Sequence, residues 1–197
     1  MTSTHDTNST PSIAIIGAGL AGVNAALAFH REGWAVDLYS NRTRSELRDE
    51  VPATGTAILF GASRTPDRTI TTDRYAGTAG DPATDAAAHF SASSVGIAGA
   101  PPEASLTAGF TYEAQSVDPR LRADDRLGEF LAETQDGADG TAASRFIVED
   151  VTAESLDAVA AGHALTFVAT GKAGLAAIFD NAPDRPPYDS AQRYRRT

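Results

Sequence analysis

The sequence predicts an α/β protein built around a parallel β-sheet, and three neighbouring segments carry this prediction. Ile13–Ile16 is a short, wholly apolar run, typical of a strand buried on both faces of a parallel sheet. Leu20–Glu32 is alanine-rich, has apolar residues along one helical stripe, and precedes Gly33, a helix stop. Trp34–Tyr39 is a second strand. Strand, helix and strand within about 30 residues form a right-handed βαβ crossover.

Composition limits the classes of function. The chain has 197 residues, of which 42% are apolar and 21% charged, which suits one globular domain. A formal net charge of −10 argues against nucleic acid as a partner, since phosphate backbones need a basic face. The absence of cysteine excludes disulfides, thiolate metal sites and cysteine nucleophiles.

The amino-terminal residues do not resemble a targeting segment. MTSTHDTNST is polar and lacks the apolar centre of a signal peptide. No apolar run approaches the ~20 residues that span a bilayer. We therefore expect a disordered arm over residues 1–11, no membrane partner and a cytoplasmic protein.

The remaining elements follow from periodicity. Residues 76–105 hold few large apolar groups and predict either a loop or a weakly paired excursion. Thr107–Gln115 alternates as a strand does. Pro119 and the apolar spacing after it predict a helix over residues 119–134. The rest is read as a strand at 145–148, a short helix from Thr152, a buried strand at 165–169, a helical turn at 172–179, and a tail without apolar period.

Glycines with a recognised spacing join the first strand to the first helix. Gly17, Gly19 and Gly22 form a GxGxxG sequence, whose glycines allow a tight turn, close approach of a pyrophosphate, and close helix–strand packing. The helix start then presents free N–H groups and the positive end of its dipole. The strand before and the helix after the glycines favour a dinucleotide site over a purely structural turn.

The acid that usually binds the ribose, about 20 residues further on, is missing. The second strand ends with Ser40, Asn41 and Arg42, and a hydroxyl and an amide bind ribose less strongly than a carboxylate. Arg42 and Arg44 raise an alternative, because arginines here suit the 2′-phosphate of NADP. A solvated loop explains both arginines equally well.

Other polar residues predict no catalytic constellation. The four histidines are scattered without partners at metal-ligand spacing, so no metal site is expected. His163 lies in a turn and is expected to be solvated. Asp124 and Asp125 are adjacent on a helix and cannot face one another, so we interpret them as a solvated face.

Several segments resemble the oxygenase component of flavin-dependent styrene monooxygenases. They are Ile13–Gly22 with Val36–Arg42, then Val117–Leu121, Arg145–Ala160 and Phe167–Lys172, so the resemblance runs with gaps over about residues 12–193. It implies that reduced FAD from a separate NADH-dependent flavin reductase is used to insert one oxygen atom from O₂ into a small aromatic alkene or an indole-like substrate.

The resemblance also implies the cofactor-binding residues, in three groups. They are Gly17, Ala18, Gly19, Leu20, Ala21 and Gly22 at the pyrophosphate; Ser40, Asn41 and Arg42 at the adenosine ribose; and Arg120, Thr170 and Gly171 beside the dinucleotide. The predicted fold is then a Rossmann-type FAD-binding domain with a β-rich insertion. The predicted divisions are 12–49 with 119–180 for the FAD-binding domain, 50–118 for the insertion as part of a substrate domain, and 181–197 for an irregular tail.

The chain departs from this family at its end. Family members continue well past the point where this sequence stops, and that part carries a second flavin contact and most of the apolar substrate pocket. The match fails at Tyr194, so we interpret the chain as a truncated or frame-shifted member. Two alternatives stay open, namely an NADP-dependent oxidoreductase and a non-catalytic remnant.

Overall fold

The computed structural model describes residues 11–52, 57–60, 75, 87–96, 105–135, 143–171, 175 and 178. The predicted arm up to residue 10, the tail 181–197 and most of the predicted turn at 172–179 lie outside these residues. The elements are β1 Ser12–Ile16, α1 Leu20–Arg31, β2 Ala35–Ser40, α2 Arg44–Asp49, β3 Ala57–Leu59, β4 Ala87–Gly96, β5 Ser105–Val117, α3 Pro119–Gln135, β6 Arg145–Val148, α4 Ala153–Ala161 and β7 Leu165–Val168.

Four strands form a parallel sheet in the order β6–β2–β1–β7, which confirms the predicted fold class. In chain order these are the third, second, first and fourth parallel strands, the arrangement of Rossmann-type sheets. The strand order reverses between β1 and β7. Ligands of such sheets bind beyond the carboxyl ends of the strands at this reversal, so the glycines that follow β1 stand at the expected place.

Helices cover both faces of the parallel sheet. Ile13 and Ile15 pack with Val23 and Leu27 of α1 and with Phe130 of α3 in one fully buried cluster. On the opposite face, Ile16 and Tyr39 pack with Val151, next to α4. A strand buried on both sides explains the unbroken apolar sequence of β1. Trp34 packs edge-on against Phe29 of α1, at 6.0 Å between ring centroids.

The prediction that β7 is a buried strand was wrong. Its side chains alternate between exposed and half-buried, with Leu165 47% and Phe167 36% exposed. Among the described strands β7 pairs only with β1 and lies at the edge of the sheet, so a neighbouring strand covers only one of its two sides. Phe167 is held by Phe29, with ring centroids 5.3 Å apart.

A second, antiparallel sheet has the order β3–β5–β4 and forms the predicted β-rich insertion. Residues 87–96, read from sequence as a loop or a weak excursion, pair with β5 in two stretches, 87–90 and 92–96, separated by a shift in register. The helix over 119–134 was predicted correctly. Helix α2 was not predicted. No helix in the described part of the chain is long and apolar enough to cross a membrane.

Candidate functional site

The glycine turn is so tight that two of its positions have no room for a side chain. Gly17 has a φ of +112°, and a Cβ there would lie 2.7 Å from the carbonyl oxygen of Ala169, next to β7. A Cβ on Gly22 would lie 1.8 Å from the carbonyl oxygen of Gly17. The Gly17 amide donates to the Tyr39 carbonyl at 2.9 Å. The hydrogen bond joins the turn to β2, and the missing room for a Cβ shows that the backbone of Gly17 closely approaches Ala169 and the start of α1.

Gly19 differs from these two glycines. It is the N-cap of α1 in an extended conformation, with φ −72° and ψ 175°, which any residue can adopt. A Cβ built on it has no heavy atom of the described residues within 4 Å. The fold itself therefore does not need a glycine here. The open space suits a ligand that must approach the backbone closely.

The start of α1 is also left uncapped. Within the described part of the chain no side chain accepts a hydrogen bond from its first amides, and its first turn carries no acidic residue. The first N–H groups of a helix lack intrahelical acceptors, and the helix dipole places positive charge there. The geometry fits a diphosphate, whose oxygens accept hydrogen bonds from successive amides.

A cleft of about 150 Å³ opens beside this helix start. It lies between the glycine turn, α2 and the first two turns of α3. The lining residues are Ala18, Gly19, Leu20, Arg44, Leu47, Arg48, Val51, Pro119, Arg120, Ala123, Asp124 and Leu127. Most of the surface is aliphatic, and three arginines and one carboxylate stand around it.

Two reciprocal hydrogen bonds stabilise the first turn of helix α2. The Thr43 hydroxyl accepts from the amide of Glu46, and the Glu46 carboxylate accepts from the amide of Thr43 at 2.6 Å, which is a capping box. The hydrogen bonds from Thr43 hold the pKa of Glu46 below its usual range. This short helix turns two arginines toward α3.

Asp124 of α3 binds both of these arginines. Arg44 donates from Nε to Asp124 Oδ1 at 2.5 Å and from Nη2 to Oδ2 at 3.2 Å, and Arg48 donates from Nη1 to Oδ2 at 3.2 Å. The hydrogen bonds to Asp124 raise the pKa of Arg44. The Arg44 guanidinium also lies against Gly128, where an added Cβ would come within 2.8 Å of Nη2.

Arg120 lies on the α3 wall of the same cleft. It donates to both carboxylate oxygens of Asp118 and, from Nη1, to the carbonyl oxygen of Val51 at 2.7 Å. The hydrogen bond to Asp118 raises the pKa of Arg120, and Arg120 in turn lowers that of Asp118. Arg120 thus joins the segment after α2 to the start of α3.

The remaining residues predicted for the cofactor occupy the carboxyl edge of the parallel sheet. Ser40 is buried at the end of β2 and its Oγ accepts from the amide of Arg42 at 3.2 Å, while the side chains of Asn41 and Arg42 are exposed. The amide nitrogen of Thr170 lies 3.0 Å from the position of an added Gly17 Cβ, and Gly171 has a φ of +68°. Their roles toward a cofactor stay predictions.

Three interpretations of charged residues were wrong. Asp124 is not on a solvated face, because its side chain is 9% exposed and holds Arg44 and Arg48. Asp125 accepts a hydrogen bond from the Tyr75 hydroxyl at 2.5 Å. Arg44 is helical and paired rather than part of a solvated loop.

His163 is not solvated either. Its side chain is 9% exposed, with Nδ1 2.7 Å from the Val159 carbonyl oxygen and Nε2 3.2 Å from Asp37 Oδ2.

Sequence reasoning missed Leu47, Arg48 and Val51 as cleft residues. One signal was present, because Thr43 and Glu46 have the spacing of a capping box and predict a helix start. Nothing in the sequence indicated that this helix would face Asp124. The described residues contain no group of three or more histidine, aspartate or glutamate side chains that could hold a metal ion.

Comparisons with known proteins give partial structural likenesses. The chain is similar to CmlS, a flavin-dependent halogenase, with a TM-score of 0.43 and 15% identity over 71% of this chain and 23% of that one. It is similar to the tetrameric form of 2-methyl-3-hydroxypyridine-5-carboxylic acid oxygenase, with a TM-score of 0.42 and 16% identity over 71% of this chain and 32% of that one.

A third likeness is to the peptidyl tryptophan dihydroxylase QhpG, with a TM-score of 0.39 and 21% identity over 64% of this chain and 24% of that one. The chain thus spans about a quarter to a third of the length of these proteins. No protein-family model matches the chain, and a comparison with curated proteins gave no significant match. TM-scores this low decide neither the family nor the activity.

Proposed function

We propose that this chain is the FAD-binding portion of a flavin-dependent oxygenase. One observation carries the proposal: an uncapped helix start, with open space at Gly19, stands at the reversal of strand order in a parallel sheet. The amides of residues 19–22 would hold the pyrophosphate. A helix dipole and backbone donors need no basic side chain, which suits a protein of net charge −10.

The cleft beside the helix start suits part of the cofactor. At about 150 Å³ it is smaller than the ~300 Å³ at which pockets for whole ligands begin, so it would take a nucleotide portion while the rest extends outside it. Its aliphatic lining fits a ribose or adenine edge. Ser40, Asn41 and Arg42 would lie by the adenosine ribose.

The structure favours FAD over NADP. A 2′-phosphate site on Arg42 and Arg44 needs both guanidinium groups, and Arg44 is committed to two hydrogen bonds with Asp124 and packed on Gly128. Arg42 alone is a weak basis for selecting a dianionic group. FAD has no 2′-phosphate and places no such demand on these residues.

For the reaction, we propose that one oxygen atom from O₂ goes to a small aromatic acceptor, such as an aromatic alkene or an indole-like compound, with reduced FAD supplied by a separate reductase. The flavin supplies the oxygen-transfer chemistry, and protein residues bind, orient and exclude water. Ile58 and Phe90 share one face of the antiparallel sheet by register, and Phe60, the residue after β3, packs edge-on against Phe110 of β5. Ile58, Phe90 and Phe60 are exposed, by 49%, 37% and 43%, and would form an apolar wall for such an acceptor.

Titration of the purified chain with oxidised and with photoreduced FAD, followed by flavin absorbance and fluorescence, tests the proposal. The decisive variant is Gly19→Val, whose Cβ has room among the described residues and whose branched side chain would stand in the approach to the amides. Gly109→Val is the matched control, because Gly109 also faces open space and lies in β5.

We expect Gly19→Val to lose FAD affinity at least tenfold while its thermal unfolding stays close to that of the parent chain, and Gly109→Val to bind normally. Failure of the parent chain to bind FAD or reduced FAD more tightly than millimolar would defeat the proposal. NADPH binding that is lost on replacing Arg42 would support the NADP alternative instead. A chain that unfolds without cooperativity, with or without FAD, would support the remnant interpretation.

A further inference from the structure

The arginine–aspartate cluster, made of Arg44, Arg48 and Asp124, places a carboxylate on the wall of a cleft proposed to hold an anionic ligand. Cofactor binding alone does not explain this carboxylate. Arg44, Arg48 and Asp124 all line the cleft that borders the helix start. We propose that Asp124 competes with the ligand's phosphate for Arg48, and so keeps the bound dinucleotide exchangeable. This inference rests on the proposed function for the identity of the ligand.

The two arginines are held unequally, and this difference identifies Arg48 as the residue that changes partner. Arg44 makes two hydrogen bonds to Asp124, one of them at 2.5 Å, and lies against the backbone at Gly128. Arg48 makes one at 3.2 Å, and its side chain is 52% exposed. A single contact from an exposed guanidinium is weak, whereas a phosphate offers several charged acceptors to the same planar fork.

Arg48 also has no other strong acceptor among the described residues. Its Nε lies 3.7 Å from Oδ1 of Asp49, whose side chain is 69% exposed, so this contact is a loose one. Arg120, on the opposite wall, is bound by Asp118 and Val51. Of the three arginines that line the cleft, Arg48 is therefore the one that can turn to an incoming anion at the least cost.

The charge on Asp124 opposes the ligand in two ways. The carboxylate occupies the guanidinium that a phosphate would use, and it carries the same sign of charge at the wall of the same cleft. Both effects weaken binding. An isosteric amide in place of the carboxylate removes the like charge and weakens the competition for Arg48. Arg44 keeps an acceptor in that variant, because the amide oxygen of asparagine can accept one hydrogen bond.

The test is a double-mutant cycle on Asp124→Asn and Arg48→Gln, with ADP and FAD as the ligands and isothermal titration as the readout. We expect Asp124→Asn to tighten ADP binding about fivefold and Arg48→Gln to weaken it about fivefold. The double variant should lose the gain that Asp124→Asn gives alone. Glu133→Gln is the matched control, because it removes one negative charge from α3 but pairs with Arg31, away from the cleft.

Equal or weaker ADP binding by a folded Asp124→Asn overturns the inference, as does a gain that survives in the double variant or is matched by Glu133→Gln. Circular dichroism and thermal melts establish folding. Should Asp124→Asn fail to fold, Arg48→Gln and Arg48→Lys decide: full affinity in Arg48→Gln overturns the inference, and loss there with retention in Arg48→Lys supports it. If the parent chain binds neither ligand, the proposed function fails. If the parent chain binds but Asp124→Asn binds no more tightly, only the present inference fails.

Discussion

Two aspartates of this protein have almost the same local chemistry and different surroundings. The side chain of Asp37 is 10% exposed and that of Asp124 is 9% exposed, and each contacts two cationic or potentially cationic side chains. Asp37 accepts from Arg145 at 2.9 and 2.5 Å and lies 3.2 Å from His163 Nε2. Asp124 accepts from Arg44 and Arg48.

The difference lies in what each cluster joins. Asp37 sits in β2 and binds the first residue of β6 and the turn between α4 and β7, so it links three elements of the parallel sheet. Asp124 links two helices beside an open cleft. The same ion-pair chemistry therefore serves the architecture in one region and, on our proposal, ligand exchange in the other.

Asp37→Asn tests the architectural side and carries the largest expected effect. It removes the charge that two partners share in a nearly buried position, so we expect the free energy of unfolding to fall by about 2 kcal/mol. Urea unfolding measures it. Asp157→Asn, on the exposed face of α4, should change stability by less than about 0.5 kcal/mol. Equal losses in both variants would contradict a structural role for the Asp37 cluster.

Acid should weaken the same cluster. Burial alone raises the pKa of Asp37, but the hydrogen bonds and charges of Arg145 and His163 outweigh it and hold the pKa below its ordinary value of 3.8. A carboxyl whose folded pKa is depressed contributes stability above its unfolded pKa and loses it as the pH falls through the folded value. The parent chain should therefore lose more stability than Asp37→Asn between pH 5 and pH values below 3.8. Parallel curves for the two proteins would refute this.

Asp124→Asn should cost less stability than Asp37→Asn. Both partners of Asp124 are exposed, Arg44 by 41% and Arg48 by 52%, whereas Asp37 has the nearly buried His163 beside its exposed partner Arg145. Contacts with exposed charges contribute at most about 1 kcal/mol. We expect a loss of about 1 kcal/mol or less in urea, with ligand affinity rising as described above. A loss as large as that of Asp37→Asn would mean that both clusters stabilise the fold equally, and would contradict the difference drawn between them.

Thr43→Ala carries the smallest expected effect. It removes the hydroxyl that caps α2, at a cost of about 0.5 kcal/mol for a short surface helix. Exchange of the α2 amides with solvent deuterium should accelerate, while the β1 amides keep their protection. Thr107→Ala, in the exposed part of β5, is the control and should leave α2 unchanged. Unaltered exchange in α2 would mean that Asp124, and not the capping box, holds this helix in place.

Much of the fold could be predicted because its signals are local. The apolar run of β1, the glycines after it and the apolar period of α3 specify their structures within a few residues. Gly17 and Gly22 are needed because backbone atoms crowd them, a requirement that the spacing of the motif already expresses. Helix α2 had such a signal too, in Thr43 and Glu46.

Only the tertiary structure decided the roles of Asp124 and His163 and the edge position of β7. Arg44 and Asp124 are 80 residues apart in sequence, and His163 and Asp37 are 126 apart. Whether a charged side chain is solvated or paired depends on which distant element the chain brings beside it, and an isolated segment carries no record of that neighbour. The sequence alone determined the glycine turn between β1 and α1, whereas the folded chain determined which charges surround it.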